Sequence, residues 1–360
     1  MGVLVPYWSP YLRSLGFSAA RIGELTAVFM AARIVAPLLM GFWADKTGRP
    51  MLMVRVSSFL AAAFFALVFV DQSYWILAFA TAGFGLFYAS GIPAFEAVTL
   101  NHLGGGEERY GRIRLWGSWG FIFSVVLIGR FLENSGMGAV PPILQALFVL
   151  SALFSIPVPD APAEPCNSGS VSFSALLMDA RVQALLAVGV LNQVGHGPYY
   201  VFFSIHMADA GYDGAVIGPL WAVGVLAEIV IFYFMVQLLP RFGLRRLLLV
   251  ALGLTALRWT LVAWFAGNPI IMVLSQTLHA ASYGVVHAVM IHCIHSIFSG
   301  RTQSSGQALY AAATFGVGGA LGSLYAGYAW SALGPEYTYL SASLFPVLAF
   351  VIAFVLLRDI

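Results

Sequence analysis

Apolar runs of about twenty residues, long enough to cross roughly 30 Å of hydrocarbon, recur almost from end to end of the chain. They predict spans near 20–43, 51–70, 74–101, 113–133 and 139–157. After a polar break come further spans near 180–207, 216–240, 247–266, 269–298, 307–330 and 336–358. Ahead of them all lies a short apolar piece, Gly2 to Leu12, closed by Arg13. At about 1.5 Å per residue it is too short to cross. The reading is eleven spans and a half. Two matching halves call for an even total, so a first helix cut short, by a late start codon or a shortened chain, is expected.

The polar break, Val158 to Ser174, holds prolines together with Asp160, Glu164, Asn167 and Gly169, and reads as a solvated linker. The expected organisation is an N-terminal transmembrane bundle over 1–157, a linker over 158–178 and a C-terminal bundle over 179–360. Basic residues set the orientation. Lys46, Arg49, Arg109, Arg112, Arg181, Arg241, Arg245, Arg246 and Arg301 fall on alternate connections, which are expected in the cytoplasm with the linker and the C-terminus. The opposite connections hold Arg13 and Arg21 and otherwise mostly acids: Asp71, Glu133, Asp209, Asp213 and Glu336.

Composition agrees with a bilayer as the solvent. The chain is 60% hydrophobic and 9% charged, against about 25% charged residues in soluble chains. Its formal charge of +2 provides no basic face for nucleic acid. Cys166 and Cys293 make neither a disulfide framework nor a metal pattern, and His292-Cys293-Ile294-His295 lacks a fourth ligand nearby. The first residues, with Pro6, Trp8 and Pro10 and no basic leader, do not read as a secretory signal.

Ionisable residues inside spans are costly and are candidates for function. Here they are Arg33, Glu96, Arg114, Glu228, Arg258, His279 and His287, with His196 beside them. Hairpin geometry predicts which of them meet. Glu96 and Arg114 lie nine residues either side of Gly105, so antiparallel helices hold them level. Glu228 and Arg258 are each fifteen from Gly243, and Arg258 and His279 lie ten and eleven from Asn268. Glu228, Arg258 and His279 should therefore share one depth, roughly 22 Å from the basic-side turn at 1.5 Å per residue. Two readings stand for each set: a buried ion pair that fixes helix packing, or a site that handles solute and protons. His196, Tyr199 and Tyr200, one helical turn apart, supply either a polar and aromatic wall or ordinary packing.

The loop after the first complete span reads Gly41-Phe-Trp-Ala-Asp45-Lys46-Thr-Gly48-Arg49. It resembles the signature loop of the major facilitator superfamily, and Arg241-Phe-Gly243-Leu-Arg245-Arg246 resembles a worn copy in the second half. Ile92-Pro93-Ala94-Phe95-Glu96-Ala97 and Tyr110-Gly111-Arg112-Ile113-Arg114-Leu115-Trp116-Gly117 resemble the lactose permease branch of that superfamily. The similarity is closer still to the bacterial 3-phenylpropionate transporter group. It includes Pro6-Tyr7-Trp8-Ser9, His196-Gly-Pro-Tyr199-Tyr200, Trp221-Ala-Val-Gly224-Val-Leu-Ala-Glu228, Arg258-Trp259, Leu278-His279 and His287.

The resemblance implies an all-α membrane protein of two pseudo-symmetric six-helix bundles, the first helix truncated, rocking around a central cavity. It implies a secondary transporter and not an enzyme, with proton-coupled uptake of a small organic solute such as an aromatic carboxylate. Glu96, Arg114, His196, Tyr199, Tyr200 and Arg258 are the expected solute contacts. Glu228, His279 and His287 are candidates for proton coupling, and Gly41, Asp45, Lys46, Gly48 and Arg49 form the conformational loop. Arg258 and Arg114 suit a carboxylate, because a guanidinium stays charged when buried and grips two oxygens at once.

One position departs from the pattern. Three residues after the histidine the permease has the glutamate that releases the coupling proton, and here Ser282 stands there. The proton carrier therefore stays open among Glu228, Glu96 and the histidines. A sugar or nucleoside remains an alternative solute, and a membrane enzyme or a channel an alternative class. The expected partners are the solute, protons and lipid, with no cofactor beyond the proton gradient, no metal, a bacterial-type inner membrane and a monomer as the working unit.

Overall fold

The computed structural model describes residues 1–47, 49–103, 107–160, 178–298 and 303–358, and their side chains except at 37–47, 97, 101, 107–108 and 303–304. Their regular structure is helical throughout. In the first half lie α1 (Leu4–Ser14), α2 (Ala19–Thr47), α3 (Pro50–Phe65, prolonged by a 3₁₀ turn, Ala66–Phe69), α4 (Tyr74–Leu103), α5 (Glu107–Ser135) and α6 (Val140–Ser155). In the second, α7 has two pieces (Ala180–Gly195 and Gly197–Asp209), followed by α8 (Gly214–Phe242) and α9 (Leu244–Trp264). The tenth rod, α10, joins Pro269–Thr277 to Val286–Ile297 through a π turn, Ala280–Val285. Likewise α11 joins Gln303–Ala311 to Gly319–Leu333 through a π turn, Ala312–Gly318, and α12 comprises Pro335–Ala342 and Leu344–Leu356.

Local chemistry explains several ends. The Asp213 carboxylate accepts from the Val216 N–H at 3.0 Å and starts α8. The Asn268 side chain accepts from the N–H groups of Ile270 and Ile271 and starts α10. Such caps satisfy donors that no intrahelical carbonyl can reach. Gly243, with φ +76°, turns the chain between α8 and α9 in a conformation that side chains rarely adopt.

Among the described residues, nine helices are long and apolar enough to cross a membrane. Of the eleven complete spans expected, α2 and α7 stand outside that number. The apolar run of α2 passes Ala36, where its described side chains stop. In α7 the expected single span over 180–207 is interrupted at His196, because Pro198 has no N–H to continue the ladder. The break is also a close approach: a Cβ on Gly197 would overlap the Gly322 backbone of α11. The piece α1 is a half-span, as expected, and Gly2 meets Phe121 near the middle of α5.

The two halves touch along α2–α11 and α5–α8, and the contacts are tightest at the end carrying Asp71, Asp209 and Asp213, here the acidic end. A Cβ on Gly23 would lie 2.6 Å from the Ser323 carbonyl oxygen and 2.7 Å from Gly327 Cα. A Cβ on Gly214 would lie 2.5 Å from the Gly129 carbonyl oxygen. Small residues let the backbones approach, which is how helices associate where lipid removes the hydrophobic drive. Side chains then tie the seam. Arg13 of α1 makes a forked ion pair with Asp209 of α7, 2.8 Å to each oxygen. Glu24 of α2 accepts from Tyr74 at 2.6 Å and from Tyr328 of α11 at 2.7 Å. Towards the opposite, basic end, a Cβ on Gly111 of α5 would meet nothing within 4 Å, and the Arg114 and Glu96 side chains are exposed. The halves part there, leaving a gap.

On α5, Trp116, Phe123, Leu127 and Phe131 form an exposed apolar stripe suited to lipid. By helical periodicity Arg114 projects from the other side, with buried Val125, into the gap.

Candidate functional site

Short turns at Gly243 and Asn268 hold α8, α9 and α10 side by side, and the depth arithmetic is realised in bonds. Arg258 is fully buried. Its Nη1 donates to His279 Nδ1 at 2.8 Å and to Ser282 Oγ at 2.9 Å, and its Nη2 donates to Gln276 Oε1 at 3.1 Å. His279 Nε2 meets Glu228 Oε1 at 2.6 Å. The guanidinium also lies over the rings of Tyr199 and Trp259, 4.3 and 4.6 Å from their centroids. These are cation–π contacts, which strengthen when water is excluded.

The donors determine every proton along this chain. Arginine only donates, so His279 Nδ1 is an acceptor. A neutral imidazole with that tautomer carries its proton on Nε2 and donates it to Glu228. Beyond Arg258, Ser282 Oγ accepts from the guanidinium and lies 3.3 Å from His196 Nε2. His196 Nδ1 lies 2.7 Å from the Asn192 carbonyl oxygen, which only accepts, so Nδ1 bears the His196 proton. His196 Nε2 is therefore free to accept from Ser282. The serine where lactose permease has an acid is a neutral bridge between the guanidinium and a second imidazole.

Glu228 can keep its bond to His279 in either protonation state. One oxygen accepts while the other is free to carry a proton. Its side chain is 16% exposed, against 6% for His279.

From His279 a column of rings continues along α10. His279 stacks on Tyr283 and Tyr283 on His287, each with centroids 5.6 Å apart, and His287 stacks on Tyr310 of α11 at 5.9 Å. The π turn lies between His279 and Val286, and π turns of this kind often accompany functional sites.

The remaining candidates fall into place around this chain. Tyr199 is buried over Arg258, and its hydroxyl donates to Gln276 Oε1 at 3.1 Å. Tyr200 stacks on His196 and lines a small cavity with Trp8, Phe29 and Met30. Glu96 and Arg114 are level, as the hairpin arithmetic required, 3.8 Å apart and well exposed on the gap. They do not join the Arg258 cluster. In the signature loop, Gly41, Asp45 and Lys46 lie on the last turns of α2 and Arg49 precedes α3, while Gly48 lies outside the described residues.

Six members of the site were not among the expected contacts: Gln276, Ser282, Tyr283, Asn192, Trp259 and Tyr310. Tyr283 had a legible signal, since it stands four residues from both His279 and His287. Gln276 had a weaker one, three residues before His279.

Residues 1–341 match the MFS_1 like family. The chain is 28% identical over 337 residues to a probable 3-phenylpropionic acid transporter of Escherichia coli (strain K12), covering 92% of this chain and 88% of that one. It is 26% identical over 348 residues to a maltose permease of Geobacillus stearothermophilus, covering 94% and 87%. Its fold superposes on the crystal structure of the nucleoside transporter NupG with a TM-score of 0.83 at 17% identity, covering 100% of this chain and 96% of that one. With two helical halves meeting at one end of a gap and a match over residues 1–341, the chain is an integral membrane transporter belonging to the MFS_1 like family of the major facilitator superfamily.

Proposed function

We propose that the protein is a proton-coupled symporter that takes up a small aromatic carboxylate, such as 3-phenylpropionate, across a bacterial inner membrane, with its C-terminus in the cytoplasm. The observation that carries this reading is the Glu228–His279–Arg258 chain beside the gap. A carboxylate that keeps its hydrogen bond in both protonation states suits a site loaded on one side and unloaded on the other. Alternating access supplies the difference in surroundings that such a group needs. The name of the Escherichia coli relative supports the solute class.

On this reading Glu228 carries the proton and His279 holds it in place. His287 continues the polar path towards the basic end. Glu96 and Arg114 face the solute, and His196, Tyr199, Tyr200 and Arg258 form the wall behind Glu228. The rocking motion opens the acidic end by parting Gly23 from Gly327 and Arg13 from Asp209. The Geobacillus relative favours a second reading, a sugar as the solute.

The test is uptake into reconstituted vesicles under an imposed pH gradient. Accumulation of labelled 3-phenylpropionate that collapses with a protonophore supports the proposal. Accumulation of maltose without the acid moves the solute to the second reading. Equilibration of either without concentration removes the coupling.

A further inference from the structure

The expected carboxylate clamp, Arg258, is enclosed: both terminal nitrogens are bonded, two aromatic rings lie against it and no surface is exposed, with only its buried Nε left unpaired. A different arginine is better placed. Arg33 stands at the middle of α2, fourteen residues from either end of the helix. Among the described residues it forms no ion pair, and its close ring contact is Phe29, 5.8 Å from the guanidinium carbon. A cation without a carboxylate partner at mid-membrane is costly, and it draws an anion to itself.

The packing places Arg33 opposite the ring column. Gly316 of the α11 π turn lies against the Arg33–Ile34 backbone. The adjoining Phe315 packs on Tyr283 at 6.2 Å and on His287 at 5.8 Å. On the other seam Gly214 meets the Gly129 carbonyl and Gly218 the Val125 carbonyl, an antiparallel register that brings Arg114 level with Glu228. Arg33 on α2 and Arg114 on α5 thus stand at the level of the stacked rings.

We propose that Arg33 and Arg114 form the anion site: they hold the solute's carboxylate from the first half, while Tyr283 and His287 face its aromatic part from the second. Glu96 remains the resting partner of Arg114, at 3.8 Å a loose one that a bound carboxylate replaces. Arg258 positions Glu228 through His279 and does not touch the solute. This assignment rests on the reading of the solute as a carboxylate, and its test separates the two.

Purified wild-type protein and Arg33→Gln are titrated with 3-phenylpropionate and with its uncharged amide, 3-phenylpropanamide. Wild type should bind the acid at least tenfold more tightly than the amide, about 1.4 kcal/mol. Arg33→Gln should lose that preference while binding the amide as before. A variant that keeps the preference overturns the anion site and leaves the carboxylate reading standing. A wild type without preference, or one that binds maltose instead, overturns both. If Arg33→Gln binds neither compound, phenylglyoxal modification of the wild type decides. Protection of Arg33 by 3-phenylpropionate and not by maltose supports the site, and equal modification with and without the acid overturns it.

Discussion

Arg258 donates to Nδ1 of His279 at 2.8 Å, and that contact holds the imidazole neutral with its proton aimed at Glu228. A second proton on the ring would have to occupy Nδ1, where it would face a guanidinium hydrogen. His279 is thereby a fixed spacer between a buried cation and a carboxylate. On the proposed function the titrating role falls to Glu228, whose other oxygen takes no part in the bond to His279.

The first prediction follows from that freedom. Glu228→Gln keeps an oxygen to accept from His279 and imitates the protonated acid. It should abolish uphill accumulation and spare exchange of solute for solute, because exchange need not release the proton. At about 2.3 kcal/mol per charge for each 100 mV, the lost drive is visible as a failure to concentrate. Equal loss of both activities with a lowered melting temperature would identify a packing pair, as would recovery in a charge-free double variant with Arg258.

Arg258→Lys keeps the charge and loses the planar fork. One ammonium cannot reproduce the separate bonds to His279, Ser282 and Gln276 together with two ring faces. Coupled uptake should fall at least tenfold. Ser282→Ala is the gentler companion, removing one acceptor from Arg258 and one donor from His196 at a cost of about 1–3 kcal/mol in stability. Urea or thermal melts of the two variants check the order.

Two glycine substitutions separate rocking from folding. In Gly327→Ala the new methyl would stand 2.8 Å from the Ala19 carbonyl oxygen and 2.9 Å from Gly23 Cα, across the seam between halves. It should hold the acidic end open, block turnover and leave the melting temperature nearly unchanged. Ser9→Cys, placed on the buried face of α1, should then label from the acidic side in that background and stay unlabelled in the wild type. Gly197→Ala meets Gly322 within one half, so it should reduce the yield of folded protein instead.

The Arg13–Asp209 fork is about half exposed on both sides, and exposed pairs contribute at most about 1 kcal/mol. Asp209→Asn should therefore barely change stability. It should shift the population towards opening at the acidic end, read as a longer distance between spin labels placed there. High salt should imitate the variant in the wild type. An unchanged distance in both would remove the pair from gating.

Orientation has its own test. Cys293 is buried and should resist an impermeant thiol reagent from either side. Cys166, in the linker outside the described residues, should label from the cytoplasmic side. Labelling only from the periplasmic side overturns the proposed topology.

Much of the site was legible because the turns are short. Counting from Gly243 and Asn268 brought Glu228, Arg258 and His279 to one depth, and counting from Gly105 brought Glu96 level with Arg114. Fixed rise per residue makes such arithmetic reliable between neighbouring helices. It fails where the helix is not regular. The π turn of α10 alters the register after His279, so the contact of Ser282 with both Arg258 and His196 could not be counted out. The break in α7 had a signal in Gly197-Pro198, yet the unbroken apolar run concealed it.

The sequence by itself determined the number and order of the spans, the alternation of basic and acidic loops, and the depth of each buried charge. These depend on local properties: length, hydropathy and residues per turn. Only the tertiary structure decided which charges are satisfied. Arg258 and Arg33 look alike in the sequence, each a lone arginine in an apolar run. One is enclosed by Gln276, His279, Ser282 and two aromatic rings, and the other forms no ion pair among the described residues. The difference depends on the rotation of each helix about its axis and on the glycine contacts that set how closely the halves approach. Hydrogen bonds form or fail over a few tenths of an ångström, a scale set only when distant segments pack.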